Sequence, residues 1–196
     1  MTFRRTILLV LLFSSISALL LTGSSTAQTL YEQTSGSFIT IAGTSTLHEW
    51  TMTSKEGRCQ ANFEIDANGV PTRLNSLSLK IRSESLKSGQ TAMDKNAYST
   101  LNTDTYKNIT FNLVSANIIN TKIQCDGNLT VAGVTKRITV DAVYKVLPDK
   151  SLLCTGSKKI TMSDFEIEAP SFMFGTVRTG NEMTLTFKVN LEPVGK

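Results

Sequence analysis

The segment GNLTVAGVTKRITVDAVYKV, residues 127–146, alternates apolar and polar side chains on both sides of a turn. Leu129 and Val131 alternate with polar residues before the turn, and residues 138–146 keep the same period of two after it. Because successive side chains of a strand point to opposite faces of a sheet, this period predicts two half-buried strands. The short connection at Gly133 predicts that the two strands form an antiparallel hairpin.

The same period of two extends over most of the chain after residue 36. Further alternating segments are residues 77–81, 109–113 and 183–191, and shorter strand candidates are 38–42, 50–53, 59–65 and 160–162. Turn residues such as Asn68-Gly69 and Pro148-Asp149 separate them. About eight antiparallel strands in one domain must hide their edges, which a closed barrel does completely. A β-sandwich remains the alternative, because alternation alone does not distinguish the two.

One stretch, residues 83–108, breaks the period of two. Within it Met93, Ala97 and Leu101 recur every four residues, which predicts a short helix with one apolar stripe. Asp94 and its polar neighbours are expected on the solvent side of that helix. The helix is therefore predicted to be a lid or plug on the barrel.

A second break covers residues 164–180, which contain Pro170 and two glycines. The segment is predicted to be an irregular loop. Its large apolar residues could line the barrel mouth, since ligand pockets are mostly apolar, or could simply cap the core. These residues are Phe165, Phe172, Met173 and Phe174.

The first 27 residues have the pattern of a secretory signal peptide. Arg4 and Arg5 precede an apolar run at residues 7–13, and Ser25-Thr26-Ala27 offers small residues for cleavage. The apolar run is too short for a transmembrane anchor, which takes about 20 residues. We therefore predict a signal peptide at 1–27, a mature domain at 28–196, a periplasmic or secreted location, and no stable membrane insertion.

The charge and the cysteines argue against two classes of partner. The formal net charge of +4 falls to +2 when Arg4 and Arg5 are removed, and the basic residues are scattered, which disfavours nucleic-acid binding. Cys59, Cys125 and Cys154 are too widely spaced for a zinc motif, so no metal site and no cofactor are predicted. Cys59 and Cys125 are expected to point inward as small core residues.

A disulfide between Cys125 and Cys154 is not expected. The two residues lie two strands apart in the proposed meander, and neighbouring strands are about 4.8 Å apart. The resulting gap of about 10 Å exceeds the roughly 7 Å between Cα atoms that a disulfide tolerates.

Catalytic residues are also not predicted. His48 is the only histidine, and no serine or cysteine nucleophile motif accompanies it, so we expect it to make structural hydrogen bonds at the mouth. Trp50 is the only tryptophan; a role as a core plug at one barrel end is favoured over stacking against a ligand.

Five motifs, in order along the chain, resemble those of the YceI-like family, also called the polyisoprenoid-binding family. Residues 127–136 resemble the family's G-x-L-T-x-x-G-x-T-K signature. Residues 43–50 resemble the G-T-S-T-L-H-x-W opening of one branch of the family. The other matches are at 86–94 (S-L-K-S-G and M-D), 106–111 (Y-x-x-I-x-F) and 162–170 (D-F-x-I…P).

The resemblance implies an all-β fold, an extended lipocalin-like antiparallel β-barrel of about eight strands with one short helix. It implies a YceI-like lipid-binding β-barrel domain over residues 28–196, exported to the bacterial periplasm. The implied ligand is an apolar or amphiphilic lipid of the isoprenoid, quinone or polyprenyl class. The residues expected to line the ligand-binding lumen are Leu77, Leu79, Ile109, Phe111, Leu113, Leu129, Val131, Phe165, Phe172 and Phe174.

The first functional hypothesis is thus an exported, non-enzymatic binding protein with lipid in its lumen. The alternatives are a filled structural or stress-related barrel without ligand and, less favoured, a hydrolase. Alternation is equally compatible with a hollow and a filled barrel. The oligomeric state is left open, with a dimer as one option.

Overall fold

A computed structural model describes residues 26–172 and 174–195 of the chain, apart from the side chain of residue 172. Eleven strands and one helix account for most of the described chain. The strands are β1 Ala27–Gln33, β2 Phe38–Ser45, β3 Glu49–Ser54, β4 Gly57–Ile65, β5 Pro71–Arg82, β6 Asn108–Ile119, β7 Lys122–Val131, β8 Val134–Val146, β9 Leu152–Thr161, β10 Ser171–Phe172 and β11 Val177–Pro193. The helix, α1, is Thr91–Leu101, and short 3₁₀ turns lie at Ser83–Ser85 and Ser163–Phe165.

The strands form a closed antiparallel barrel of eight strands, in which β2 extends β1 and β3 extends β4. β1 and β2 follow one another along β11, as one long strand broken at residues 34–37. β3 and β4 follow one another along that long strand. β5 to β9 form an up-and-down meander that ends on β11, and the β1–β11 pairing closes the ring. The barrel predicted from the alternation is therefore confirmed, and the sandwich is not formed.

The β7–β8 hairpin shows why the sequence folds this way locally. Ala132 and Gly133 both have positive φ, 47° and 83°, as a two-residue hairpin turn requires. Val131 pairs with Val134, and the register continues to Lys122 opposite Val143 without a shift. Both strands therefore keep one face toward the barrel interior over their paired length.

One end of the barrel is packed solid. Phe63, Leu152 and Leu191 are almost completely buried there, and the rings of Tyr31 and Phe63 meet edge to face at 5.6 Å between centroids. The Tyr144 hydroxyl donates to the Pro71 carbonyl across this end. The interior space therefore begins beside Phe63 and Leu191 and extends toward the opposite end.

Helix α1 covers the opposite end, as its four-residue apolar stripe predicted. Met93, Ala97 and Leu101 pack against the core. The expectation that Asp94 faces solvent is wrong: its side chain is buried, because it turns back onto the segment that precedes the helix. The carboxylate accepts hydrogen bonds from the Ser88 backbone nitrogen and hydroxyl, both at 2.7 Å.

Three boundaries differ from the sequence prediction. β1 was not predicted, because among its inward-facing residues only Tyr31 is a large apolar side chain. β9 begins at Leu152 rather than at residue 160, since Lys158 interrupts its apolar alternation. β11 begins at Val177, so the loop predicted to reach residue 180 is shorter, and a register shift between Thr179 and Met183 hides the period there.

The three cysteines are free and buried, and Cys59 and Cys125 lie on the inward-facing side of their strands, as predicted. Cys125 and Cys154 lie on β7 and β9, with β8 between them. The predicted signal peptide falls almost entirely outside the described residues. No helix in the described ranges is long and apolar enough to cross a bilayer.

Candidate functional site: an apolar interior with a covered mouth

The barrel contains an inner cavity of about 120 Å³. Its walls are the inward-facing side chains of β2, β4 to β9 and β11, and almost all of them are apolar. Several of the leucines and valines that line it, including Leu79 and Val140, are only partly buried because they face open space. The cavity shows that the barrel is not completely filled by its own side chains.

A second, larger cavity of about 340 Å³ lies under helix α1 at the mouth. Met93 and Ala97 of the helix, Trp50 of β3 and Phe165 of the late 3₁₀ turn contribute to its walls. The two cavities share four lining residues: Ile109, Leu129, Ile160 and Leu185. They are therefore adjoining, and together they form an apolar path from the mouth to the packed end.

The indole of Trp50 forms one wall of the mouth cavity. Its Nε1 donates to the Thr44 carbonyl at 3.1 Å, which fixes the ring against β2. A Cβ atom at Gly43 would lie 2.4 Å from the indole, so only glycine allows this close packing. Trp50 is thus a wall of the cavity, where the sequence prediction favoured a core plug.

Two loops form the outer rim and are hydrogen-bonded to each other. The Thr46 backbone nitrogen donates to the Arg178 carbonyl at 3.0 Å, and the Thr46 hydroxyl donates to the Thr176 carbonyl at 3.2 Å. Leu47, at the β2–β3 turn, lines the mouth cavity although it is 67% exposed. These bonds connect the β2–β3 turn to the start of β11.

Hydrogen bonds also hold helix α1 over the mouth. The Tyr98 hydroxyl lies within 3.0 Å of the Glu84 and Leu86 carbonyls, and Lys87 Nζ donates to that hydroxyl. Hydrogen bonding by Ser88 is the main factor that lowers the pKa of Asp94, which keeps this carboxylate ionised. The lid is therefore attached at both its start and its middle.

The three thiols line the inner cavity. Burial raises the pKa of Cys59 to about 12, of Cys125 to about 11 and of Cys154 to about 12. The thiols are therefore neutral at physiological pH and form part of an apolar wall. In the described part of the chain, histidine, cysteine and acidic residues form no group that could hold a metal ion.

The residues predicted to line the lumen do not all lie at the two cavities. Leu77, Leu79, Ile109, Phe111 and Leu129 line the inner cavity, and Val131 and Phe165 line the mouth. Leu113 packs against the core, next to a bulge in β6, and lines neither cavity. Phe174 lies fully exposed at the tip of its loop, and the side chain of Phe172 is outside the described set.

Sequence reasoning missed a lysine among the residues that line the inner cavity. Lys158 lies on β9 among the residues that line the inner cavity. Its position could have been found from the alternation of Cys154, Gly156, Lys158 and Ile160, had β9 been extended through the lysine.

His48 lies at the mouth, where its ring and backbone are hydrogen-bonded within the β2–β3 turn. Its side chain is exposed, and Nδ1 is 2.8 Å from the Glu49 carbonyl oxygen. The Ser45 hydroxyl donates to the His48 carbonyl and closes the β2–β3 turn. In the described residues these contacts are structural, and the ring also lines the mouth cavity.

Comparison with known proteins identifies relatives of the whole fold. A family model described as YceI-like domain matches residues 20–191. No functionally curated protein matches the chain.

Among solved structures, BcnA from Burkholderia cenocepacia is 16% identical with a TM-score of 0.66, covering 79% of this chain and 95% of BcnA. A polyisoprenoid binding domain from Saccharophagus degradans is 12% identical with a TM-score of 0.63, and the match covers 85% of this chain and 99% of that domain. A YCEI protein from Campylobacter jejuni is 20% identical with a TM-score of 0.56, and the match covers 72% of this chain and 85% of that protein. At these sequence identities the matches show a shared fold.

Proposed function

Because this chain belongs to the YceI-like family, we propose that it is a non-enzymatic binding protein that holds an apolar or amphiphilic lipid inside its barrel. One observation carries the proposal: two adjoining apolar cavities run from the covered mouth into the barrel. A pocket with predominantly apolar walls takes up apolar surface, because removing that surface from water is favourable. The fold shared with a polyisoprenoid binding domain supports an isoprenoid-type chain as the ligand.

The protein acts as a carrier or store of that lipid after export. The pattern of Arg4, Arg5 and the apolar run that follows supports secretion through a cleaved signal peptide. N-terminal sequencing of the exported protein should begin at Gln28. Recovery of a chain that still begins at Met1 in the membrane fraction would contradict the export part of the proposal.

Mass spectrometry of lipid extracted from protein purified from its native host tests the binding itself. A single class of apolar chain in near-stoichiometric amount is expected. The same extraction from a variant with a blocked mouth, Ala97→Trp, should release much less, because Ala97 lines the mouth cavity. An exposed-site variant of the same helix, Lys95→Trp, is the matched control.

Trp50 gives a second readout in purified protein. It is the only tryptophan and forms a wall of the mouth cavity, so its fluorescence should change when a chain enters. Titration with geranylgeraniol should give a saturable change in the wild type. No change in fluorescence together with no lipid in the extract would favour the filled structural barrel instead.

A further inference from the structure

Phe63 bounds the inner cavity at the packed end of the barrel. The residue lines the cavity although it is only 1% exposed, and its ring also meets the ring of Tyr31 edge to face. Tyr31 lines neither cavity, and its hydroxyl donates to the Lys150 carbonyl at 3.4 Å, in the turn that precedes β9. Phe63 therefore contacts both the open interior and the packed end behind it.

A bulge in β5 places a leucine beside Phe63. The register between β4 and β5 shifts between Asn62 and Phe63, so that Leu74 lies opposite Phe63 and Asn75 is left unpaired. Leu74 is buried and lines the inner cavity, whereas Asn75 is exposed. A bulge changes which side chains a strand turns inward, and here it keeps an amide out of the interior. Together with the buried Leu191 of β11, these residues form an apolar floor.

The side chains nearer to the mouth are smaller. Cys59 faces inward on the same strand as Phe63, and Cys125 of β7 and Ala142 of β8 also line the inner cavity. Small side chains on facing walls leave volume between them, and a phenyl ring fills it. The cavity is therefore open at the level of Cys59 and ends at the level of Phe63.

The two cavities differ in the polarity of their surfaces, and this difference sets the direction of an amphiphilic ligand. The surface of the inner cavity is apolar throughout, whereas the mouth cavity has polar surface as well, and Gln90 and Thr100 are among its lining residues. Burying a polar group without a hydrogen-bond partner is unfavourable. The head of such a ligand therefore stays at the mouth, and the end of its apolar chain points toward Phe63.

Resting on the proposed function, we propose that Phe63 sets the longest isoprenoid chain that the barrel accepts. A chain that ends before the ring is covered along its whole length. The next homologue leaves one isoprene unit in water at the mouth or has to displace a ring that is packed on Tyr31. Leaving that much apolar surface in water should weaken binding at least about tenfold relative to the chain that just fits.

Two substitutions should move this chain-length limit in opposite directions. Phe63→Ala removes a ring of about the size of an isoprene unit, so the limit should increase by one unit. Phe63→Leu removes less volume and should admit the next homologue more weakly. Ala142→Phe adds a ring to the wall of the inner cavity, so the limit should decrease. Leu152→Ala is the matched control, because Leu152 is completely buried at the same end and lines neither cavity.

The experiment offers each protein an equimolar mixture of farnesol, geranylgeraniol, geranylfarnesol and hexaprenol in phosphatidylcholine vesicles. The protein is then separated from the vesicles, and its lipid is extracted and quantified by mass spectrometry. Vesicles are the donor because every chain starts in an apolar environment, so the bound amounts fall only where a unit is left uncovered. Thermal unfolding checks that each variant is folded.

Wild type and Leu152→Ala should show the same drop in bound isoprenol at one chain length. The drop should lie at a longer chain in the Phe63 variants and at a shorter chain in Ala142→Phe. Equal uptake of all lengths by wild type, an unchanged limit in the folded Phe63 or Ala142 variants, or an equal shift in Leu152→Ala overturns the role of Phe63 and leaves lipid binding standing. Absence of every isoprenol from wild type overturns the proposed function as well.

Discussion

At the scale of single residues, Asp94 is the buried charge on which the position of the lid depends. Its carboxylate accepts two hydrogen bonds from Ser88, in the segment that leads into helix α1. A hydrogen bond to a charged group typically contributes about 1.5–3 kcal/mol to stability, as measured by removing one partner. This side chain therefore connects the start of the helix to the segment that precedes it.

Asp94→Ala is expected to lower the free energy of unfolding by about 1–3 kcal/mol, because the Ser88 donors lose their acceptor. Asp104→Ala, at an exposed position after the same helix, should change it by less than about 0.5 kcal/mol. Urea denaturation of both variants measures the difference. Equal effects would show that the Asp94 contacts do not stabilise the fold.

The same residue predicts a dependence on pH. Because the pKa of Asp94 is lowered from its ordinary value of 3.8, the folded state binds the proton less readily than the unfolded state. The contribution to stability is therefore complete above the unfolded-state pKa and is lost as the pH falls below it. The stability difference between wild type and Asp94→Ala should shrink between about pH 5 and pH 2.

At the scale of elements, the β7–β8 hairpin depends on its turn. Gly133 has φ of 83°, and a Cβ atom there would lie 2.4 Å from the Tyr106 ring. Gly69, in the β4–β5 turn, has the same φ of 83° but open space around it. Comparing the same substitution at the two glycines therefore separates the cost of backbone strain from the cost of steric crowding.

Gly69→Ala should cost about 1–2 kcal/mol, the cost of a left-handed conformation for a residue with a Cβ. Gly133→Ala should cost more, because the new methyl group also displaces the Tyr106 ring. Denaturation midpoints of both variants provide the measurement. A larger loss for Gly69→Ala than for Gly133→Ala would contradict the crowding at the β7–β8 turn.

At the scale of the whole molecule, the thiols report whether the interior is closed to water-soluble reagents. Cys59, Cys125 and Cys154 come from separate strands, and burial keeps each thiol neutral. Because the thiolate is the reactive form, all three should react with Ellman's reagent at pH 8 only after denaturation. Rapid reaction in folded protein, or a disulfide in non-reducing peptide maps, would contradict this arrangement.

The two ends of the barrel should also respond differently to the loss of side-chain volume. Leu152 is completely buried at the packed end, so Leu152→Ala should cost about 2–5 kcal/mol. Leu185 lines both cavities, so Leu185→Ala in lipid-free protein removes fewer packing contacts and should cost clearly less.

The comparison requires delipidated protein and denaturant unfolding of both variants. Leu185→Ala should in addition weaken the binding of geranylgeraniol, which Leu152→Ala should leave unchanged. Equal destabilisation by the two substitutions, with no effect on binding, would mean that the interior is packed throughout.

The sequence alone determined most of the strands, the face that each of them buries, and the lid helix, whereas alternation was compatible with a barrel and with a sandwich. Period-two alternation in β5 to β8 and in β11 specified which face each strand buries, because side chains alternate across a sheet. The four-residue spacing of Met93, Ala97 and Leu101 specified the helix for a similar reason. The inward orientation of Cys59 and Cys125 followed from the same alternation.

Only the tertiary structure decided which inward-facing residues surround space and which are packed. Leu113 and Leu129 follow the same alternation, yet only Leu129 lines a cavity, because a bulge in β6 changes the wall beside Leu113. Phe165 is buried while Phe174, in the same predicted loop, is exposed. Alternation specifies which face of a strand is buried. The open volume depends on the distance between opposite walls of the barrel, which is set by how all eight strands curve around a common axis and cannot be inferred from the sequence of any one strand.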